Sequence, residues 1–113
     1  MLFPQVDLTS QSNVSAYIQD IIQEEQNLSR ERVHTVLSAA VLRCLGGLTT
    51  VQFVLDLYHE VNNNIDMTKD PELLEVSLLL THLEHQVSCK NSSELAIQTK
   101  LRMILAMLLH RHD

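Results

Sequence analysis

Apolar residues recur at steps of three and four along most of the 113-residue chain, the spacing that gathers side chains on one face of an α-helix. Residues 1–11 lack that rhythm, carry Pro4 and read as an extended lead-in. Val14, Tyr17, Ile18, Ile21 and Ile22 then make a first stripe, with Gln19, Asp20, Gln23 and Glu24 opposite. Ser12 is placed to cap that helix, and the pattern fades near Asn27. Ser29 opens a second helix, with Glu31 in the first turn, where the positive end of the helix dipole favours an acid. Its stripe is Val33, Val36, Leu37, Ala40, Val41, Cys44 and Leu45. Gly46-Gly47 ends it, since glycine takes the left-handed conformation that closes many helices.

The spacing predicts Thr49 as the next cap, with Gln52 completing a capping box and Leu48 and Phe53 forming a hydrophobic staple. This third helix runs through Val54, Leu57 and Val61 and is expected to stop at Asn62-Asn63-Asn64, leaving Ile65 to Lys69 as the longest loop. Asp70-Pro71-Glu72 restarts the chain with a cap, a proline at the first helical position and an acid in the first turn. The fourth helix aligns Leu73, Val76, Leu80, Leu83 and Val87, while Leu74, Leu78 and Leu79 widen its apolar face. Asn91, with Glu94 three residues on, is the predicted start of a fifth, whose seam is Ile97, Leu101, Ile104 and Leu108.

These elements define one all-α domain over residues 12–113: an up-and-down bundle of four to five antiparallel helices, with the last two paired as a hairpin by their short link. Two helix pairs with a tight corner also fit the general build of a short HEAT-like α-solenoid segment, although no repeat of fixed period is visible. Composition agrees. Nearly half the residues are hydrophobic and only 4% aromatic, with no Trp, two Gly and two Pro, too few turn formers for a β fold and too many aliphatics for disorder.

Charge narrows the function. The net charge is −6 and the eight Lys and Arg are scattered, whereas a nucleic-acid surface needs them in a patch. The longest unbroken apolar run, Met103 to Leu109, falls far short of the roughly 20 residues that span a membrane. Met1-Leu2-Phe3-Pro4 does not open as a signal peptide, so the chain reads as intracellular, cytoplasmic or nuclear, with Cys44 and Cys89 as reduced thiols. The sequons at Asn13, Asn27 and Asn91 support a rival reading, a small secreted cytokine-like bundle tied by a Cys44–Cys89 disulfide.

Catalytic chemistry finds little support. His82, His85 and Cys89 share a helix face, but over seven residues they spread across about 10 Å, too far for one zinc ion without another element such as His59, His110 or His112. Cys44 lies near a helix C-terminus, where the dipole disfavours a thiolate. Gly46-Gly47 lacks the spacing and the following lysine of a phosphate loop, and Glu24-Glu25 reads as a solvated pair. No catalytic residue, metal, cofactor or small-molecule substrate is expected.

What stands out is surplus apolar surface. From Leu101 to Leu109 only Arg102 interrupts the apolar residues, and a helix apolar all round is either central in its bundle or meets something else. The expectation is a non-enzymatic interaction or oligomerisation module, a scaffold-like domain of a larger protein, that binds a protein partner or another copy of itself. Leu74, Leu78, Met103, Met107 and Leu109 are its candidate contacts.

Overall fold

A computed structural model of the chain describes residues 29–89 and 92–109, together with residues 16, 19 and 20. The described residues form four α-helices: α1 (Arg30–Leu45), α2 (Val51–Asn64), α3 (Pro71–Ser88) and α4 (Glu94–Leu109), with a short 3-10 turn at Met67–Lys69 before α3. No strand occurs among them, and the fold is an all-α helical bundle. The expected stripe of Val14, Tyr17, Ile18, Ile21 and Ile22 lies outside the described residues, as do Asn91, His110 and His112. Ala16, Gln19 and Asp20 are helical and exposed.

Local chemistry sets the helix ends. The Ser29 hydroxyl accepts the Arg32 N–H at 3.1 Å, filling one of the donors that a helix start leaves open. At the other end of α1, Gly47 adopts φ 79°. Its N–H donates to the Cys44 carbonyl and the Leu48 N–H to the Arg43 carbonyl, the paired bonds of a Schellman motif.

Both ends of α2 differ from expectation. The cap of α2 is Thr50, one residue later than predicted, with its hydroxyl accepting the Phe53 N–H at 3.1 Å. The Schellman bonds carry the corner through Leu48 and so delay the helix start. Gln52 therefore completes no capping box and donates instead to Asp56, one turn on, at 3.0 Å. Leu48 is 69% exposed and staples nothing. Asn62-Asn63-Asn64 forms the last turn of α2 instead of ending it, and Ile65 is the C-cap.

The expected loop after α2 is partly ordered. Asp66 accepts the Thr68 N–H and hydroxyl, bonds that hold its carboxyl below the usual carboxylate range. Because the folded group ionises more readily, its contribution to stability is present at neutral pH and lost as pH falls through the acid range. The turn drives Met67 fully into the core. In α4 the cap is Ser93, whose hydroxyl accepts the Ala96 N–H at 3.1 Å.

Long-range contacts set the topology. Asp70 caps α3 through the Glu72 and Leu73 amides, and Arg30, the first residue of α1, pairs with both Asp70 and Glu72. The two helix starts therefore share one pole. The end of α4 lies there too, since His34 Nδ1 sits 3.4 Å from the Leu108 carbonyl. Thus α1 and α3 run the same way, and α4 returns antiparallel, packed against both. The link through Ser88–Ser93 makes α3 and α4 the expected hairpin.

The four helices contribute unequally to the core. On α1 the buried residues are Val33, His34, Val36, Leu37, Ser38, Ala40 and Val41. On α2 they are Phe53, Val54, Leu55, Leu57, Tyr58 and Val61. At 3.6 residues per turn each set covers an arc of about 200°. On α3 only Leu73, Val76, Leu80 and Leu83 are buried, and on α4 only Leu101, Ile104 and Leu108. Those arcs are about 80° and about 60°. Full burial of each such side chain stabilises by about 1.5–3 kcal/mol.

Candidate protein-docking surface

The narrow seams of α3 and α4 leave apolar residues outside the core. Leu78 is 61% exposed on α3, opposite its buried stripe, and Met103 and Leu109 are 46% and 58% exposed on α4. Leu74 is half-buried on α3. Met107 is also partly buried and packs against the core, so it sits on the border between core and surface. The structure thus places Leu78, Met103 and Leu109 in solvent and holds Leu74 and Met107 back. The run from Leu101 to Leu109 is not enclosed: α4 packs against both α1 and α3 through Leu101, Ile104 and Leu108, while Met103 and Leu109 stay exposed.

Two exposed apolar residues escaped the sequence reading. Leu95 in the first turn of α4 is 69% exposed, and Leu42 on the outer side of α1 is 52% exposed. The signal for Leu95 was available, because it falls nearly opposite the seam of Ile97, Leu101, Ile104 and Leu108 on the helical wheel.

Polar groups frame this surface. Along the outward side of α3, Leu78, Thr81, His82, Glu84, His85 and Ser88 line a shallow depression of about 470 Å³. At its edge Glu84 pairs with His59 of α2 at 2.8 Å, both groups being exposed, and such a pair contributes little. The Tyr58 hydroxyl hydrogen-bonds with Ser77 Oγ at 2.8 Å and Thr81 Oγ1 at 3.3 Å, tying α2 to α3 beneath the depression.

Among the described residues, those considered for catalysis or metal binding do not converge. His82, His85 and Cys89 are all exposed, His59 is engaged by Glu84, and no cluster of three or more His, Cys, Asp or Glu suited to a metal occurs among the described residues. Cys44 and Cys89 are free thiols. Burial pushes the Cys44 thiol up, which disfavours the thiolate a nucleophile needs. No helix among the described residues is long and apolar enough to cross a membrane.

No family model matches the chain, and neither does any characterised protein or solved structure.

Proposed function

We propose that this domain is a non-enzymatic helical interaction module, part of a larger intracellular protein, that docks a partner helix or a second copy of itself on the outward flanks of α3 and α4. Leu78, Met103 and Leu109 are the principal contacts, with Leu74 and Met107 at the margin. One observation carries the reading: the most apolar helix, α4, buries the narrowest arc and leaves Leu95, Met103 and Leu109 in solvent. Contiguous exposed apolar patches mark interfaces, and Leu78 on α3 with Leu95, Met103 and Leu109 on α4 are the exposed residues from which such a patch would be built. Methionine on such a face adapts to more than one partner shape.

Light scattering on a sizing column over a range of concentrations tests the reading, with Leu78→Glu/Met103→Glu as the control. The wild type is expected to self-associate or to bind a partner that the variant does not, while both give the same helical circular dichroism. Each copy of the wild-type chain carries a net charge of −6, so its self-association through apolar flanks should strengthen as salt screens the repulsion. If the double variant loses its helical signal, these residues belong to the core and the reading fails. Met107→Glu is a poor probe, because Met107 packs against the core. Two rapidly titrated thiols in oxidised, denatured protein would speak against the secreted, disulfide-tied alternative.

A further inference from the structure

We propose that two copies of this chain pair in parallel along the outward side of α3 and hold one zinc ion between them, with His85 and Cys89 of each copy as its donors. The choice of a second copy as partner rests on the reading above; the donor pair stands on its own observations.

The donors come first. His85 and Cys89 are both exposed and stand one helical turn apart. At that spacing two side chains lie roughly 5–6 Å apart at Cβ, and paired helical ligands grip a zinc ion. Cys89 follows the last residue of α3, yet its place is fixed. Its N–H donates to the Gln86 carbonyl at 3.1 Å, and its own carbonyl accepts the Ser92 N–H at 3.1 Å. Its thiol is free. Sulfur with imidazole suits zinc, whereas calcium and magnesium take oxygen donors. Zinc binds the thiolate, so Cys89 gives up its proton as the metal arrives. The pair also sits at the C-terminal end of α3, where the helix dipole favours a bound cation.

One chain supplies only half a set. Among the described residues no three His, Cys, Asp or Glu gather around one metal position, and His82, the next imidazole along α3, is about 10 Å from Cys89 along the axis. A structural zinc ion is closed by four protein donors in a tetrahedron. Two copies related by a two-fold axis supply them, each giving the same two residues.

The outward side of α3 is patterned for that pairing. Leu74, Leu78, Thr81, His85 and Ser88 follow at steps of four, three, four and three, the seam spacing of two helices that wind around each other. The stripe lies away from the buried Leu73, Val76, Leu80 and Leu83. Leu74 is half-buried and the other four are exposed. With the axis along the helix, Leu78 meets its counterpart, and two turns further on the four donors come together. Antiparallel pairing on the same stripe would carry the two donor pairs to opposite ends. A divalent ion on the axis also offsets the repulsion between two chains of net charge −6.

Metal titration of the full-length, metal-stripped chain tests the bridge, with a phosphine reductant present so that no Cys89–Cys89 disulfide stands in for the ion. In light scattering, zinc should raise the molar mass about twofold and saturate at about half an equivalent per chain. Cobalt in its place should give the thiolate-to-metal charge-transfer band of a tetrahedral site. Cys89→Ser should lose that band. His85→Ala should weaken binding at least about tenfold, the scale on which even the outer partners of a ligand act. Cys44→Ala and His82→Ala should match the wild type. Both donors are exposed, so their variants should keep the helical circular dichroism. Acidification should release the ion, because both donors bind it only when deprotonated. One ion per chain with unchanged mass overturns the proposal, as does a thiolate band that survives Cys89→Ser, or no binding at all.

Two outcomes separate the bridge from the apolar flanks. A zinc-driven dimer that survives Leu78→Glu/Met103→Glu upholds the bridge and removes the flanks as the partner surface. Metal-free association that needs Leu78 and Met103, is indifferent to Cys89→Ser and does not respond to zinc keeps the flanks and overturns the bridge.

Discussion

The two halves of the bundle treat their apolar residues in opposite ways. The helices α1 and α2, joined by the Gly46-Gly47 corner, each bury an arc of about 200°, and α1 is the least apolar of the four. Its buried set even includes His34 and Ser38. The hairpin of α3 and α4 is the more apolar half, yet it buries one narrow seam per helix. Burial here does not follow hydropathy. Both α1 and α4 pack against two other helices, yet α1 buries a wide arc and α4 only the seam of Leu101, Ile104 and Leu108. Exposed apolar residues are more numerous on the hairpin, with Leu78, Val87, Leu95, Met103 and Leu109, than on the other half, with Leu42 and Leu48, and the proposed docking would use that difference.

The sharpest way to break the contrast is to truncate one leucine in each half. Leu37 and Leu55 are fully buried, so Leu37→Ala or Leu55→Ala should cost about 2–5 kcal/mol in urea denaturation. Leu78→Ala and Leu95→Ala on the hairpin should stay within about 0.5 kcal/mol in the monomer, since little contact is lost. Comparable losses in both halves would mean the hairpin flank is core in solution.

A smaller effect tests the pole where the halves meet. Asp70 accepts two amides of α3 and pairs with Arg30, so Asp70→Ala should cost about 1–2 kcal/mol. Arg30→Gln should cost less than Asp70→Ala, because Arg30 is half-exposed and exposed ion pairs contribute little. Added salt should narrow the gap between wild type and Arg30→Gln in thermal melts and leave the capping loss largely intact.

Next in size is the tie beneath the depression. Tyr58→Phe removes the hydroxyl shared by Ser77 and Thr81 at a cost of about 1 kcal/mol. Hydrogen exchange should show the loss as looser protection in α2 and α3, with the contacts between α1 and α4 unaffected.

Much of this architecture was legible in the sequence. Of the predicted seams, Leu73, Val76, Leu80 and Leu83 and Leu101, Ile104 and Leu108 are buried, whereas Val87 is 37% exposed and Ile97 only partly buried; Ser29 and Asp70 cap as their types suggest. Local signals failed where a neighbouring motif shifted the chain, as at Thr50, or where one turn ordered a stretch without periodicity, as at Met67. Pairings across long sequence separations, such as Arg30 with Asp70 or His34 with the Leu108 carbonyl, leave no trace in spacing. The candidate surface was half legible. The excess of apolar residues on the last two helices could be counted, but which of Met103 and Met107 faces water depends on how α4 leans on its neighbours.

The corner of the buried half gives the smallest and most local test, because its two glycines have different reasons to be there. Gly47 holds φ 79° with open space around a would-be Cβ, so its requirement is conformational: Gly47→Ala meets no clash but forces alanine into the left-handed region, costing about 1 kcal/mol. Gly46 sits at φ −83°, where any residue is comfortable, and a Cβ there would touch the Leu42 carbonyl at an ordinary 3.4 Å. Gly46→Ala should therefore be neutral, or stabilising by a few tenths of a kcal/mol through a less flexible unfolded chain. Paired melting curves read both. If the two variants lose equal stability, the corner is held by packing instead of by the Schellman bonds. The close joining of α1 to α2 would then need an explanation other than backbone conformation.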